Sequence, residues 1–368
     1  MTHKYIATTL ASDIPKDRQI VMVDGTVPDW QIREGDLHFD HHKPGGAPIQ
    51  ILEIPGETKI DDDAIFVTTQ VDADACAAAA WLQLLTTAKK FGLTEEILES
   101  IKWKLQAIAY DCDHLGCPIE QQEYMELWQF ARDAVATLKL SGKSLKSEMG
   151  LPESKQLWSA QQKLAYNSLA FERGTQWLVD AALGDCEWPG EKGEALAYWD
   201  AYDRESPCIH FRCRMYKGVG ILDSRGIPSY VDPRHLIDWV RSQPNHANIT
   251  LTVRDRVLEL FHTEEELILQ KQGESKIENC ETAWQINLAA FNYTLGCVPL
   301  HELGSPQFSE KGVWEVLSKA ERDKRFYLNL PMPTGGWGGR NEVGGSSWND
   351  AAILAPEEVI DAVLQLFQ

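Results

Sequence analysis

Four times within about the first 115 residues, a short apolar run of strand character breaks off into a carboxylate. Ile20–Val23 leads into Asp24-Gly25, and Leu37–Phe39 leads into Asp40-His41-His42. Residues 65–69 lead into Gln70-Val71-Asp72-Ala73-Asp74, and residues 106–110 into Asp111-Cys112-Asp113-His114. Residues 75–81 and 95–105, between these runs, have helical spacing. Strand and helix in alternation predict an α/β fold whose mainly parallel sheet is flanked by helices. Ligands of open α/β sheets collect beyond the carboxyl ends of the strands, so four strands ending in carboxylates are expected to converge on one site.

Residues 1–118 are read as this first domain. Residues 119–204 carry apolar positions at helical spacing with few β-branched runs and read as a helical connector. Residues 205–368 mix strand-like and helical segments and read as a smaller, mixed α/β domain. One local anomaly stands out there, the glycine-dense segment at residues 335–347.

A formal net charge of −20, from 35 Lys plus Arg against 55 Asp plus Glu, sets up a field that repels long polyanions, so long nucleic acid is not the expected partner. A small phosphorylated molecule or short oligonucleotide remains open, because bound divalent cations reverse the sign of a carboxylate-lined site. No stretch approaches a membrane span and no signal-like segment opens the chain, so the expected setting is cytoplasmic with no membrane partner. The eight cysteines form no CxxC pair and are read as reduced thiols. Oligomeric state is open, a homodimer included.

A DHH triplet at a strand end sets hard carboxylate oxygen beside imidazole nitrogen, a ligand mix suited to Mn(II) and also to Fe, Co or Zn. The DxD pair Asp72 and Asp74 adds two carboxylates, and the helix expected to start behind them favours negative charge at its N-terminus. One or two cations there would activate a water for phosphoryl transfer. Asp113 and His114 are candidates to hold a ligand or shuttle a proton. Taken singly, each motif is common turn and N-cap chemistry; their joint occurrence at strand ends gives the reading its force.

These residues resemble the DHH phosphoesterase superfamily, which includes RecJ-like exonucleases, nanoRNases and manganese-dependent inorganic pyrophosphatases. Asp72 and Asp74 in QVDADACAAAAWL look like its DxD motif, and Asp24 in VMVDGT looks like its isolated Asp. Asp40, His41 and His42 in HFDHHKPGG look like the triplet, and Asp111 in AIAYDCDHLG looks like the later Asp. The order departs from the family, which begins with DxD. Thr68 stands where the family often has a metal-binding His, leaving His38 or His114 to supply that nitrogen. The segment at residues 338–346 is similar to the GGGHxxAAG loop of the family's DHHA1 substrate domain, with Arg340 where a His is usual. In outline the resemblance spans residues 20–116 and 205–350.

The resemblance implies Asp24, Asp40, His41, Asp72, Asp74 and Asp111 as ligands of one or two Mn(II)-like ions, with His42 facing substrate or water. It implies substrate contacts from Gly339, Arg340, Asn341, Gly344, Gly345 and Ser346, and Lys43 is a further candidate. The expected activity is metal-dependent hydrolysis of a small phosphodiester, phosphomonoester or phosphoanhydride. Two alternatives stay open: a metal-dependent amide hydrolase, and a non-catalytic nucleotide- or metal-binding module.

Overall fold

The computed structural model describes residues 3–43, 46–114, 126–152, 157–191, 212–225, 236–237, 239–240, 243–263, 283–297, 307–340, 343–347 and 350–367. The chain divides into two units, Met1–Glu205 and Ser206–Gln368.

The first unit is built on a four-stranded parallel sheet of β1 (Lys4–Ala7), β2 (Ile20–Val23), β3 (Leu37–Phe39) and β4 (Ile65–Thr68), in the order β1-β4-β2-β3. β1, β2 and β4 are short and buried almost throughout, so every residue is apolar or a threonine apart from Lys4 at the open end. Parallel pairing brings all four carboxyl ends to one edge. The sheet thus matches the expected α/β class.

One strand assignment is overturned. Residues 106–110 lie inside α2 (Glu95–His114), and the fourth strand is instead β1 at the start of the chain. The run Gln106-Ala107-Ile108-Ala109-Tyr110 is buried at every position because α2 is covered on several sides, and such a short run looks alike in a buried strand and a buried helix.

α1 (Ala73–Phe91) follows β4 and is the centre of the unit. Ala75, Ala77, Ala78, Ala79 and Ala80 have no exposed surface, and α1 packs against both α2 and α4 (Ala160–Leu183). Side chains of one carbon let these neighbours approach closely. The helices read from sequence as a connector, α3 (Trp128–Glu148) and α4, lie in this same unit: α4 packs on β1, and Phe171 and Leu178 join the core with Phe66 and Val23. α4 opens with a reciprocal capping box between Ser159 and Gln162 and closes at Gly184 in the left-handed conformation.

The second unit holds a mixed six-stranded sheet in the order β5-β6-β7-β8-β10-β9. β5 (Cys213–Tyr216) and β6 (Val219–Asp223) form a hairpin, and β6 runs parallel to β7 (Ile249–Thr263). β7 pairs along its whole length with β8 (Ala283–Cys297). Helices α5 (Val313–Tyr327) and α6 (Pro356–Leu364) supply Trp314, Leu317, Val359 and Ile360 to a core shared with Leu251, Tyr293 and Leu295 of the sheet. A buried ion pair, Arg325 to Glu321 at 2.9 Å, ties α5 to the chain beyond it: Glu321 accepts from the Ile353 N–H, and Arg325 donates to the carbonyls of Pro331 and Ala351.

Candidate metal centre

Three of the four strands feed the same edge with acidic or imidazole groups. β2 ends at Asp24, β3 at Asp40 and His41, and β4 is followed by Asp72 and Asp74 at the start of α1. The last turn of α2 adds Asp113. His41 is the hub. Its Nε2 lies 3.0 Å from Asp24 Oδ1, 3.4 Å from Asp74 Oδ2 and 3.5 Å from Asp113 Oδ2. Its side chain and that of Asp74 have no exposed surface.

The other ring nitrogen of His41, Nδ1, is 3.2 Å from the Ala47 carbonyl. A carbonyl can only accept, so Nδ1 carries a hydrogen, and Nε2 faces three carboxyl oxygens. A ring nitrogen and carboxyl oxygens at these distances need a proton or a metal ion between them. An imidazole that donates its far N–H to a carbonyl is the usual arrangement of a metal-ligating histidine. The spacing also fits: two ligand atoms about 2.1 Å from a shared ion in octahedral geometry are about 3 Å apart.

The carboxyl groups show the same conflict. Burial, and then the charges of Asp72, Asp74 and Asp113, hold the Asp24 carboxyl well above its ordinary range. Burial and then Asp113 push Asp72 up to about 6, although its Oδ1 accepts the Ala75 N–H at 3.0 Å. These acids cannot all ionise together without a cation among them. Asp24 also takes a φ of 53°, a left-handed backbone that is unusual for a residue with a Cβ and that is commonly met at functional sites.

Among the described residues, ligand atoms fall into three overlapping groups, each within 4.8 Å: Asp24, His41 and His42; His41, Asp74 and Asp113; and Asp72, Cys112 and Asp113. The donor set of carboxylate oxygen and imidazole nitrogen therefore fits a divalent cation. Cys112 was not anticipated from the sequence. Burial, followed by the charges of Asp72 and Asp113, raises its thiol well above the ordinary range.

Asp40 stands beside His42, accepting from its N–H at 2.9 Å and lying 3.2 Å from its Nδ1, and accepts the Thr26 hydroxyl at 2.5 Å. Burial opposes its ionisation, but the Thr26 hydroxyl and His42 outweigh it and hold the Asp40 carboxyl below its usual range. The His42 side chain is 54% exposed, at the open side of the cluster. Asp111 is buried but belongs to none of the three groups; it lies near Asp133 of α3 and helps raise that residue's pKa, after burial. Helix geometry separates it from Asp113: residues two apart on a helix point about 200° apart, whereas after a strand they would share a side.

His114 is buried with Nε2 at 2.9 Å from the Pro48 carbonyl, and His38 lies at 3.0 Å from Thr26 Oγ1, so neither ring joins the three groups. Thr68 is fully buried and donates to the Gln70 carbonyl at 2.9 Å. Lys43 forms an exposed ion pair with Glu53 at 2.9 Å.

In the second unit, the glycine-dense segment read as a loop is a hairpin at the sheet edge, β9 (Gly338–Gly339) against β10 (Val343–Gly345), with β10 paired to β8. Packing explains its glycines. A Cβ on Gly345 would lie 2.0 Å from the Tyr293 carbonyl oxygen, and one on Gly344 would lie 2.5 Å from the Trp314 ring. Arg340 is half-buried just after β9, its N–H donating to the Val343 carbonyl at 2.7 Å. Ser346 is buried, its Oγ accepting the Tyr293 N–H at 2.9 Å. Asn341 lies outside the described residues.

No family model matches the chain, and no curated protein does. Among solved structures, the chain is similar to a pGpG-specific phosphodiesterase, PggH from Vibrio cholerae, with 14% identity and a TM-score of 0.38 over 95% of this chain and 99% of that one. Among the described residues, no helix is long and apolar enough to cross a membrane.

Proposed function

We propose that this chain is a metal-dependent hydrolase of a small phosphorylated substrate, a phosphodiester, phosphomonoester or phosphoanhydride. The observation that carries the reading is the buried His41 Nε2 set among oxygens of Asp24, Asp74 and Asp113. The substrate class comes from the resemblance of the DHH and DxD motifs to the DHH phosphoesterases, and the net charge of −20 favours its smaller members.

Asp24, His41, Asp74 and Asp113 would hold the ion, with Asp72 completing one or two sites, and Mn(II) suits this mixture of oxygen and nitrogen donors. When bound, such an ion polarises a phosphoryl oxygen and acidifies a water. His42 stands at the solvent side with Nδ1 turned to Asp40, so that Asp40 orients the ring and Nε2 is the atom that carries a proton to or from the reacting group. Arg340 in the second unit is the proposed phosphate contact, its planar fork suited to two phosphate oxygens.

The test combines metal analysis of the purified protein with Mn(II)-stimulated hydrolysis of an aryl phosphodiester and of pyrophosphate, in wild type and His41→Ala. Bound metal with turnover in wild type, both lost in His41→Ala, is the expected result. A wild type that takes up no Mn(II) when it is supplied would sink the proposal.

A further inference from the structure

Gln50 opens a one-turn 3-10 segment, Gln50–Glu53, that belongs to none of the DHH, DxD or glycine-rich motifs, and it has no exposed surface. Its side-chain Oε1 accepts two backbone N–H groups, that of Asp24 at 3.2 Å and that of His41 at 3.2 Å. Its own backbone N–H donates to Asp74 Oδ2 at 3.0 Å. One buried residue therefore touches three members of the cluster, which come from the ends of β2 and β3 and the start of α1. The 3-10 segment also packs on α1 and α2.

The two N–H donors fix the orientation of the amide, since only its oxygen can accept from both. We infer that Gln50 is a positioning residue of the metal centre: its carbonyl oxygen staples the backbones of Asp24 and His41 at the separation that brings their side chains together, and its N–H holds Asp74 Oδ2 in place. This rests on the metal-centre reading under Proposed function. Without the staple, the ends of β2 and β3 are joined here by the Asp24 N–H to Phe39 carbonyl bond at 3.1 Å, which does not reach His41. Asp24, already in a left-handed conformation, would have less to hold it there. Residues that orient metal ligands from behind typically change metal affinity about 10- to 100-fold when replaced. A methionine at position 50 keeps the length and volume but cannot accept a comparable hydrogen bond; a glutamate keeps an accepting oxygen at the same reach.

The experiment is Mn(II) titration of the full chain, with the Mn(II) electron paramagnetic resonance line shape as a second readout, in wild type, Q50M and Q50E. The line shape reports the geometry around the ion, which a loss of global stability alone does not alter. We expect Q50M to bind about 10- to 100-fold more weakly with a changed line shape, and Q50E to stay within about threefold of wild type or bind more tightly. Q50M binding like wild type, or Q50E as impaired as Q50M, overturns the role of Gln50 while leaving the metal centre standing. If Q50M fails to fold, Q50E decides alone: retained affinity supports the acceptor role, and a loss beyond about tenfold refutes it. A wild type that binds no Mn(II) removes the metal centre itself, and the positioning role with it.

Discussion

At the scale of single residues, the centre turns on which side of a helix an acid occupies. Asp111 and Asp113 are two residues apart near the end of α2, and Asp113 is the one that comes within 3.5 Å of His41. Asp113→Asn is expected to weaken Mn(II) binding by at least about tenfold, the scale on which even supporting residues act. Asp111→Asn should leave affinity within a few-fold and act instead on the stability of the α2 and α3 region. Calorimetric titration of the two variants separates them, and equal losses of affinity would mean that α2 presents both acids to the ion. The DHH and DxD motifs were legible in the sequence because their side chains follow strand ends directly. Gln50 and Cys112 were not: a buried glutamine acquires its role only from the two N–H groups that folding brings to it, and a thiol beside Asp113 carries no signal of its own.

At the scale of elements, the β9–β10 hairpin gives a packing role to residues that composition alone marks as a loop. A glycine-dense run suggests a backbone left open to a phosphate. In the folded unit, Gly345 is also the residue over which β10 closes on β8. Gly345→Ala is expected to destabilise the chain by about 1–3 kcal/mol, the usual scale of overpacking, because the added Cβ meets a backbone carbonyl that cannot turn aside. Urea denaturation measures this. Unchanged stability with lost phosphate affinity would favour the ligand-binding reading of the glycine over the packing one. The misread stretch at residues 106–110 has a related cause, since a run of small and aliphatic residues carries no period by which strand and helix differ once both are buried.

At the scale of the whole molecule, folding concentrates negative charge that bound protons or a metal ion relieve. A carboxyl whose folded pKa is raised binds its proton more tightly in the native state than in the unfolded one. Its stabilising effect is therefore complete below the unfolded value of about 4 and is lost as pH rises through the folded value, about 6 for Asp72. Asp24 acts in the same direction and extends the window upward. Asp36, Asp40 and Glu53, whose carboxyls are held below their usual range, act in the opposite direction at lower pH. Metal-free Asp72→Asn should therefore gain thermal stability over wild type as pH rises from about 4 to about 7, measured by thermal unfolding in chelator. Mn(II) should raise the wild-type midpoint more at pH 7 than at pH 5, because the ion must displace these protons. A midpoint difference that does not change with pH would show that Asp72 is ionised in the folded metal-free chain.

The sequence by itself determined the α/β class, three of the strands and the acids and histidines that come after them, because alternation of strand and helix and residue type at strand ends are local properties. It did not determine that α3 and α4 complete the first core, that β1 takes the fourth place in the sheet, or that Asp113 meets His41. Those outcomes depend on contacts between residues far apart in the chain, Phe171 with Val23 in one core, Lys4 paired with Ile65, and Gln50 bridging Asp24 and His41. Only the packed structure decides them, since the free energy of each contact exists only once the other elements have closed around it.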